Sequence, residues 1–355
     1  MTAIDVRPEM SVPLPAPLPR RRKSAADRRE AIAGWLFISP AMVGLVVFMM
    51  IPIVLVFYVS FTNWDGLSNP LSGDAQWVGL NNYRQLLTQD GLIRRTFAVA
   101  LSNNFWFVLI VVPVQTALAL WLAVLVNNKY LKGKSFFRTA FYFPSITSSV
   151  AITMLFLFLF QGSGAVNGLL KTIGVTGPNW LSDSRGLFHV GLNAMGVKEP
   201  HWAEHKFMSQ SIWDWVSGPS ITMLVIVTLV IWTTAGTFML MFLAALQNIS
   251  DEVDEASEID GANSWQRFRY VTLPMLRPTV LLVTTLGVIS TWQVFDQIYL
   301  VGPHNPAVST PAFMSFDQSF QNNHFGVGSA IAFLLFALIM VLSTLQRRLV
   351  KEELD

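Results

Sequence analysis

Charged residues fall in clusters along this chain, and between the clusters lie long stretches without an Asp, Glu, Lys or Arg. The charge-free runs are 31–64, 96–128, 139–170, 215–250, 278–295, 297–316 and 318–346. A helix needs about 20 mostly apolar residues to cross a bilayer. Six runs predict spans at about 34–61, 97–126, 136–160, 219–247, 279–301 and 325–346. The remaining run, 297–316, holds Pro303, Pro306 and Pro311 with His304 and Asn305, and reads as a loop whose first residues complete the fifth span. The expected fold class is an all-α integral membrane protein with six transmembrane helices. The first run far exceeds the roughly 7–15 apolar residues of a signal peptide, so it reads as a span. Residues 1–30, Pro-rich and then basic, read as a disordered cytoplasmic tail.

Composition agrees with the pattern. Of 355 residues, 52% are hydrophobic and 13% charged, about half the charge of a soluble domain. The absence of cysteine excludes disulfides, thiolate zinc sites, thiol catalysis and palmitoylation. The 24 Lys and Arg are unevenly spread: with the N-terminus inside, 17 fall on inside segments and 7 on outside ones. That bias places both termini in the cytoplasm, as an even number of spans requires.

The segment from Ser250 to Pro278, between the fourth and fifth spans, breaks the basic pattern. Asp251, Glu252, Asp254, Glu255, Glu258 and Asp260 crowd into ten residues. Asp251 and Glu252 suit the positive end of a helix dipole. Asp260-Gly261 signals a turn, and Trp265 to Val271 reads as a second short helix stopped by Pro274. Charge pattern alone fits two roles equally: a helix–turn–helix that docks on another protein, or an amphipathic connector on the bilayer surface.

Motif content separates them. Glu255-Ala256-Ser257-Glu258-Ile259-Asp260-Gly261-Ala262, with Phe268 and the closing Leu273-Pro274, resembles the EAA signature of binding-protein-dependent ABC importer permeases, in the branch of maltose and glycerol-phosphate permeases. Ser257 replaces the third residue of the triplet and Val271 the usual isoleucine. Phe61-Thr62-Asn63-Trp64, Val78-Gly79-Leu80-Asn81-Asn82-Tyr83 and Phe295-Asp296-Gln297-Ile298-Tyr299 are similar to the same family, so the resemblance covers nearly the whole chain after the tail. It implies a permease domain over 31–355, a cytoplasmic ATPase dimer carrying ATP and Mg, a second homologous permease and an extracellular or periplasmic solute-binding protein. No cofactor is implied on this chain, and the membrane implied is the bacterial or archaeal plasma (inner) membrane. In that family the loop forms coupling helices seated in a groove of the ATPase. Glu255, Ala256, Ser257, Asp260, Gly261 and Ala262 would lie at that contact, with Leu273 and Pro274 leading into the fifth span. The resemblance also implies that this chain is a transport subunit, not an enzyme, moving a sugar or related polar solute by alternating access.

Polar residues inside the spans are the candidates for a substrate path. Trp232, Thr233, Thr234, Thr237, Gly287, Thr291 and Val294 fall, by spacing from the signature, where maltose-type permeases face their substrate. Small polar residues also serve helix packing, with hydroxyls bonded to the preceding turn. Asp296 is a candidate because an ionisable residue near a span is functional by default. Deep in the spans there is no other acid, lysine or arginine, which disfavours the alternative of an ion-coupled carrier.

Two motifs fail on their own terms. Gly133-Lys134-Ser135 lacks the earlier glycine of a phosphate loop, since Asn128 stands there. His201-Trp202-Ala203-Glu204-His205 matches H-x-x-E-H, yet a zinc hydrolase needs a third protein ligand. These residues read instead as part of a long external loop, 161–218, with an insertion at about 186–216 and Trp202, Trp213 and Trp215 for the membrane interface. Lipid is therefore an expected partner and nucleic acid is not. The identity of the solute is not written in the sequence.

Overall fold

The computed structural model describes residues 25–70, 75–197, 200, 205–302 and 305–352. It divides into two units, Met1–Leu55 and Val56–Asp355. Helix α1 opens at Ala25–Leu45, passes a widened turn at Val46–Met50 and continues as Ile51–Val59. The wide turn, closed by the Ile51 N–H on the Val46 carbonyl, directly precedes Pro52. A proline has no N–H and crowds the carbonyl four residues back, and one extra residue in the turn relieves that clash. Helix thus starts at Ala25, inside the segment expected to be a disordered tail to residue 30.

The second unit contains α2 (Asn81–Leu87) and then α3 (Leu92–Asn127), the longest unbroken helix among the described residues. Next come α4 (Lys134–Ile146) and α5 (Ser149–Leu159), followed by α6 (Ala165–Thr172) and α7 (Leu187–Ala194). A two-stranded hairpin, β1 (Lys206–Phe207) with β2 (Gln210–Ser211), leads to α8 (Ile212–Trp215). Helix α9 (Ile221–Gln247) precedes α10 (Asp251–Ile259) and α11 (Ser264–Arg267). The chain ends with α12 (Arg277–Trp292), α13 (Asp296–Val301), α14 (Pro311–Phe316) and α15 (Phe325–Glu352).

Five helical stretches, Arg28–Val59, Leu92–Asn127, Ile221–Gln247, Arg277–Val301 and Phe325–Arg348, are long and apolar enough to cross a membrane. The span expected at 136–160 is not one straight helix. It is the pair α4 and α5, bent by 94° at Thr147–Ser148. Thr147 is extended (ψ 148°) just past Pro144, whose own amide cannot hold the ladder. Two other expectations are corrected. The fifth span lies at Arg277–Val301, close to the expected bounds, but it is not one continuous helix: it is interrupted at Gln293–Phe295, and Asp296 opens α13. The loop read over 297–316 ends in a helix, α14, started by Pro311 at its first turn and capped by the Thr310 hydroxyl on the Phe313 N–H.

The core is the seam between α3 and α9. Ala119, Leu122, Ala123 and Val126 pack on Ala235, Phe238, Met239 and Phe242, while Phe107 and Val111 pack on Met223, Ile226 and Val230. Alanines let the two backbones close up, and in lipid such packing supplies association energy that apolarity cannot. Gly236 serves the same purpose against α4, since a β-carbon there would run into the Phe141 carbonyl.

Beyond α5, the 161–218 segment is largely ordered. Asp183 accepts from both the backbone N–H and the hydroxyl of Thr222 through its carbonyl, and Arg185 grips its carboxylate at 2.9 and 2.6 Å. The Asp183 carboxyl is held below its ordinary value, chiefly by the Arg185 hydrogen bond, which outweighs the opposing effect of partial burial. His189 stacks on Trp213 at 4.6 Å, and the Trp215 indole donates to the Phe207 carbonyl. His201, Trp202, Ala203 and Glu204, four residues of the H-x-x-E-H match, lie outside the described residues.

Candidate functional site

The bend between α4 and α5 opens a cavity of about 330 Å³ against α9 and α12. Its polar lining comprises Ser145, Thr147, Ser149, Thr153, Thr233, Thr234, Thr237, Ser290 and Gln297, and among the described residues no charged side chain lines it. Apolar walls come from Pro144, Ile152, Leu229, Phe238 and Leu286. The break matters because irregular backbone at membrane depth persists only where protein or a polar cavity receives it. Gln297, on α13, donates to the Ser149 hydroxyl at 3.2 Å, so the starts of two interrupted helices meet at this cavity.

Six of the eight lining hydroxyls share one feature. Ser145 donates to the Tyr142 carbonyl, Thr147 to Phe143, Thr153 to Ser149, and Ser290 to Gly287. Thr233 donates to the Leu229 carbonyl at 3.0 Å, and Thr234 lies 2.7 Å from the Val230 carbonyl. Five of these protons are committed to the preceding helical turn, as serine and threonine do inside helices, and that of Thr234 has a second acceptor in Gln115 Oε1, also at 2.7 Å. What these six offer the cavity is mainly oxygen lone pairs. The wall is therefore rich in acceptors, with the Thr237 hydroxyl free to donate, and suits a ligand whose own hydroxyls can do both.

Of the residues expected on the substrate path, Thr233, Thr234 and Thr237 share this cavity. Trp232 lies outside its lining, half-exposed, with its ring on Phe156 at 5.6 Å. Thr291 is buried and donates to the Gly287 carbonyl, a packing role. Gly287 sits against Gln115, whose amide nitrogen would be 2.6 Å from a β-carbon at that position. Val294 is buried in the apolar cluster around Phe107. Asp296 is exposed at the first position of α13, where its charge meets the positive end of that helix. Sequence reasoning missed Ser145, Thr147, Ser149 and Gln115. The signals were present: a Pro-Ser-Ile-Thr-Ser-Ser run and a lone glutamine, each within a charge-free stretch.

The acidic segment forms the expected helix–turn–helix, and local rules build it. At the end of α10 the Ala262 N–H reaches the Ser257 carbonyl and the Gly261 N–H reaches that of Glu258. This is the Schellman closure, which puts Gly261 at φ +77°. A β-carbon there would meet nothing within 4 Å, so the constraint is backbone conformation, not space. Asn263 and Gln266 form a reciprocal capping box that starts α11. Contrary to expectation, Pro274 does not end the second helix. A widened turn at Phe268–Thr272 carries the chain past it into Leu273–Met275, and the break comes at Leu276.

Two ion pairs frame this element: Asp251 with Lys129 at 3.1 Å, and Glu258 with Arg267 at 2.6 Å. Exposed pairs of this kind contribute little stability, about 0–1 kcal/mol each. Ser257 is buried, whereas Glu255, Ala256, Asp260 and Gly261 are exposed and Ala262 is half-buried. Ile259, flanked by two acids, is 87% exposed and Trp265 is 69% exposed, an unusual presentation for large apolar side chains. Leu273 and Pro274 are half-buried on the approach to α12.

Residues 115–353 match the family described as "Binding-protein-dependent transport system inner membrane component". The chain is 30% identical over 332 residues to the lactose transport system permease protein LacF of Rhizobium radiobacter, covering 91% of this chain and 96% of that one. It is likewise 30% identical to the multiple sugar-binding transport system permease protein MsmF of Streptococcus mutans, covering 90% and 95%. Among solved structures, a bacterial alginate ABC transporter in complex with an alginate pentasaccharide-bound periplasmic protein shares the fold, with a TM-score of 0.71 at 18% identity over 93% of this chain and 99% of that one.

Proposed function

This chain belongs to the binding-protein-dependent transport system inner membrane components, a multi-pass permease subunit of an ABC importer rather than an enzyme, and from that premise we propose that it moves a neutral, hydroxyl-rich solute, a sugar or polyol. The observation that carries this reading is the cavity at the α4–α5 bend, lined by hydroxyls and an amide with no charged side chain among the described residues, most of those hydroxyls already donating to their own helices. A sugar's hydroxyls can donate to the remaining lone pairs and accept from the few free protons, such as that of Thr237. A carboxylate or phosphate would find no cation to offset its desolvation. The names of LacF and MsmF, both sugar permeases, support the same choice.

In this reading the α4–α5 pair completes a sixth span, and both termini lie in the cytoplasm. The importer contains a second homologous permease, a solute-binding protein outside the membrane, and an ATPase dimer that holds ATP and Mg. The helix–turn–helix at Asp251–Arg267 seats in the ATPase, with Glu255, Ala256, Asp260, Gly261 and Ile259 at the contact and Ser257 as its buried footing. Closure of the ATPases moves this element. Leu273 and Pro274 pass the movement into α12, which lines the cavity through Leu286 and Ser290. The cavity then opens to one side of the membrane or the other. An ion-coupled carrier has less support, since no ionisable side chain lines the cavity.

The reading is tested in vesicles reconstituted with the complete importer. Uptake of a neutral sugar bound by the cognate binding protein, strictly dependent on ATP, is expected. A binding protein stabilised in thermal shift only by uronic acids or sugar phosphates would contradict it.

A further inference from the structure

Gln115, on α3, is fully buried at the centre of the helix seam, and one end of its side chain is bonded while the other is not. Its Oε1 accepts from the Thr234 hydroxyl on α9 at 2.7 Å. Its Nε2 has no hydrogen-bond partner and lies against the bare backbone of Gly287 on α12, 2.6 Å from where a β-carbon would stand. The amide therefore bridges two helices with different jobs. Thr234 lines the cavity, whereas α12 is the helix that directly follows the helix–turn–helix.

A buried, orphaned amide N–H is costly, and such groups in native proteins call for an explanation. The carbonyl of Gly287 itself is already engaged, receiving both Ser290 and Thr291. Glycine at 287 leaves the amide the space that a β-carbon would fill. The Thr234 hydroxyl, 2.7 Å from both Gln115 Oε1 and the Val230 carbonyl, has one proton for two acceptors. It can lean to either as the amide moves.

We propose that Gln115 is a positioning residue that ties the cavity wall at Thr234 to the displacement of α12, its unpaired Nε2 finding an α12 carbonyl in the alternate state of the transporter. The inference rests on the alternating-access reading above, and it assigns a particular side chain to a coupling that the family resemblance leaves unassigned.

The test uses the complete importer in vesicles and reads solute moved per ATP hydrolysed, a ratio that a loss of folded protein does not change. Gln115→Met keeps the volume and removes the amide; Thr234→Val keeps the shape and removes the hydroxyl. Each is expected to lower the ratio by about five-fold or more, the low end of a typical coupling energy. Together they should cost little beyond either alone, because both sever the same link. Gly287→Ala should lower the ratio alone and change it little in the Gln115→Met background, where the flexible thioether gives way. If wild-type importer shows no ATP-dependent uptake, the parent reading falls and this inference with it. If wild type transports and Gln115→Met keeps the wild-type ratio, or the two substitutions multiply fully, the Gln115 inference alone is overturned.

Discussion

The cavity at the α4–α5 bend and the helix–turn–helix at Asp251–Arg267 use polar residues in opposite ways. In the cavity, polar groups are turned inward: six hydroxyls donate to carbonyls of their own helices, and the walls are neutral. In the helix–turn–helix, acids and a bare Ile259 are turned outward, held by two exposed ion pairs and a glycine turn. The first region has most of its polar groups already satisfied within the fold. The second presents apolar surface and charge to the outside, which in the proposed assembly the ATPase covers. A transporter needs both kinds: a site that binds weakly enough to release, and a contact strong enough to carry force.

That contrast is easiest to break at Gly261. Gly261→Trp puts bulk into space that is empty in this chain and occupied, in the proposed assembly, by the ATPase. The left-handed conformation costs a non-glycine residue about 1–2 kcal/mol, too little to unfold a membrane domain. Uptake should fall by about 100-fold or more at normal membrane abundance, the upper range of a coupling energy. Western blotting and uptake together check it; unchanged uptake would refute the contact.

Ile259→Asp should act less severely. An exposed substitution changes stability by no more than about 0.5 kcal/mol, so any loss of ATPase co-purification reports on docking. About a ten-fold weaker association is expected, as for an interface anchor worth roughly 1–2 kcal/mol.

Within the cavity the expected effects are smaller and sharpen the contrast. Thr237 lines the cavity and makes no hydrogen bond among the described residues, so its proton is available to a ligand. Thr237→Val should raise the half-saturation of uptake about 3- to 10-fold, one hydrogen bond's worth. Thr291→Val, at a hydroxyl spent on Gly287 and outside the lining, should leave half-saturation unchanged. Equal effects from the two would place the solute elsewhere.

The smallest effect concerns Asp183 and Arg185, which tie the 161–218 segment to the start of α9. Because the Asp183 carboxyl is depressed below its ordinary value, its contribution is full above the unfolded carboxylate range. It disappears only as pH falls through the depressed value. Amide exchange protection around Thr222 should therefore be flat from neutral pH down to about pH 5 and drop in stronger acid. Asp183→Asn should remove that acid-dependent step.

The two regions also differ in how far the sequence discloses them. The helix–turn–helix is built from near neighbours: Asp260-Gly261 for the turn, Asn263 with Gln266 for the cap, and acids at one helix start. Such signals are local, so the element was legible, apart from the widened turn that carries the chain past Pro274. The long apolar runs likewise disclosed α3, α9 and α15. The cavity is assembled from distant residues. Thr233, Thr234 and Thr237 were legible from spacing, but Ser149 joins them only because the chain bends by 94° between α4 and α5. Hydropathy averages over that bend, since both halves are apolar. Gln115 was passed over for the same reason: one glutamine among 36 helical residues hardly lowers the mean.

The account stands or falls on whether the helix–turn–helix drives the cavity. The chain has no cysteine, so Thr237→Cys gives a single reactive thiol on the cavity wall. In vesicles holding the complete importer, an impermeant thiol reagent is applied from either side, with and without a non-hydrolysable ATP analogue. The labelled side should reverse with nucleotide in the otherwise wild-type protein and stay fixed when Gly261→Trp is added. Nucleotide-dependent reversal that survives Gly261→Trp would contradict the account.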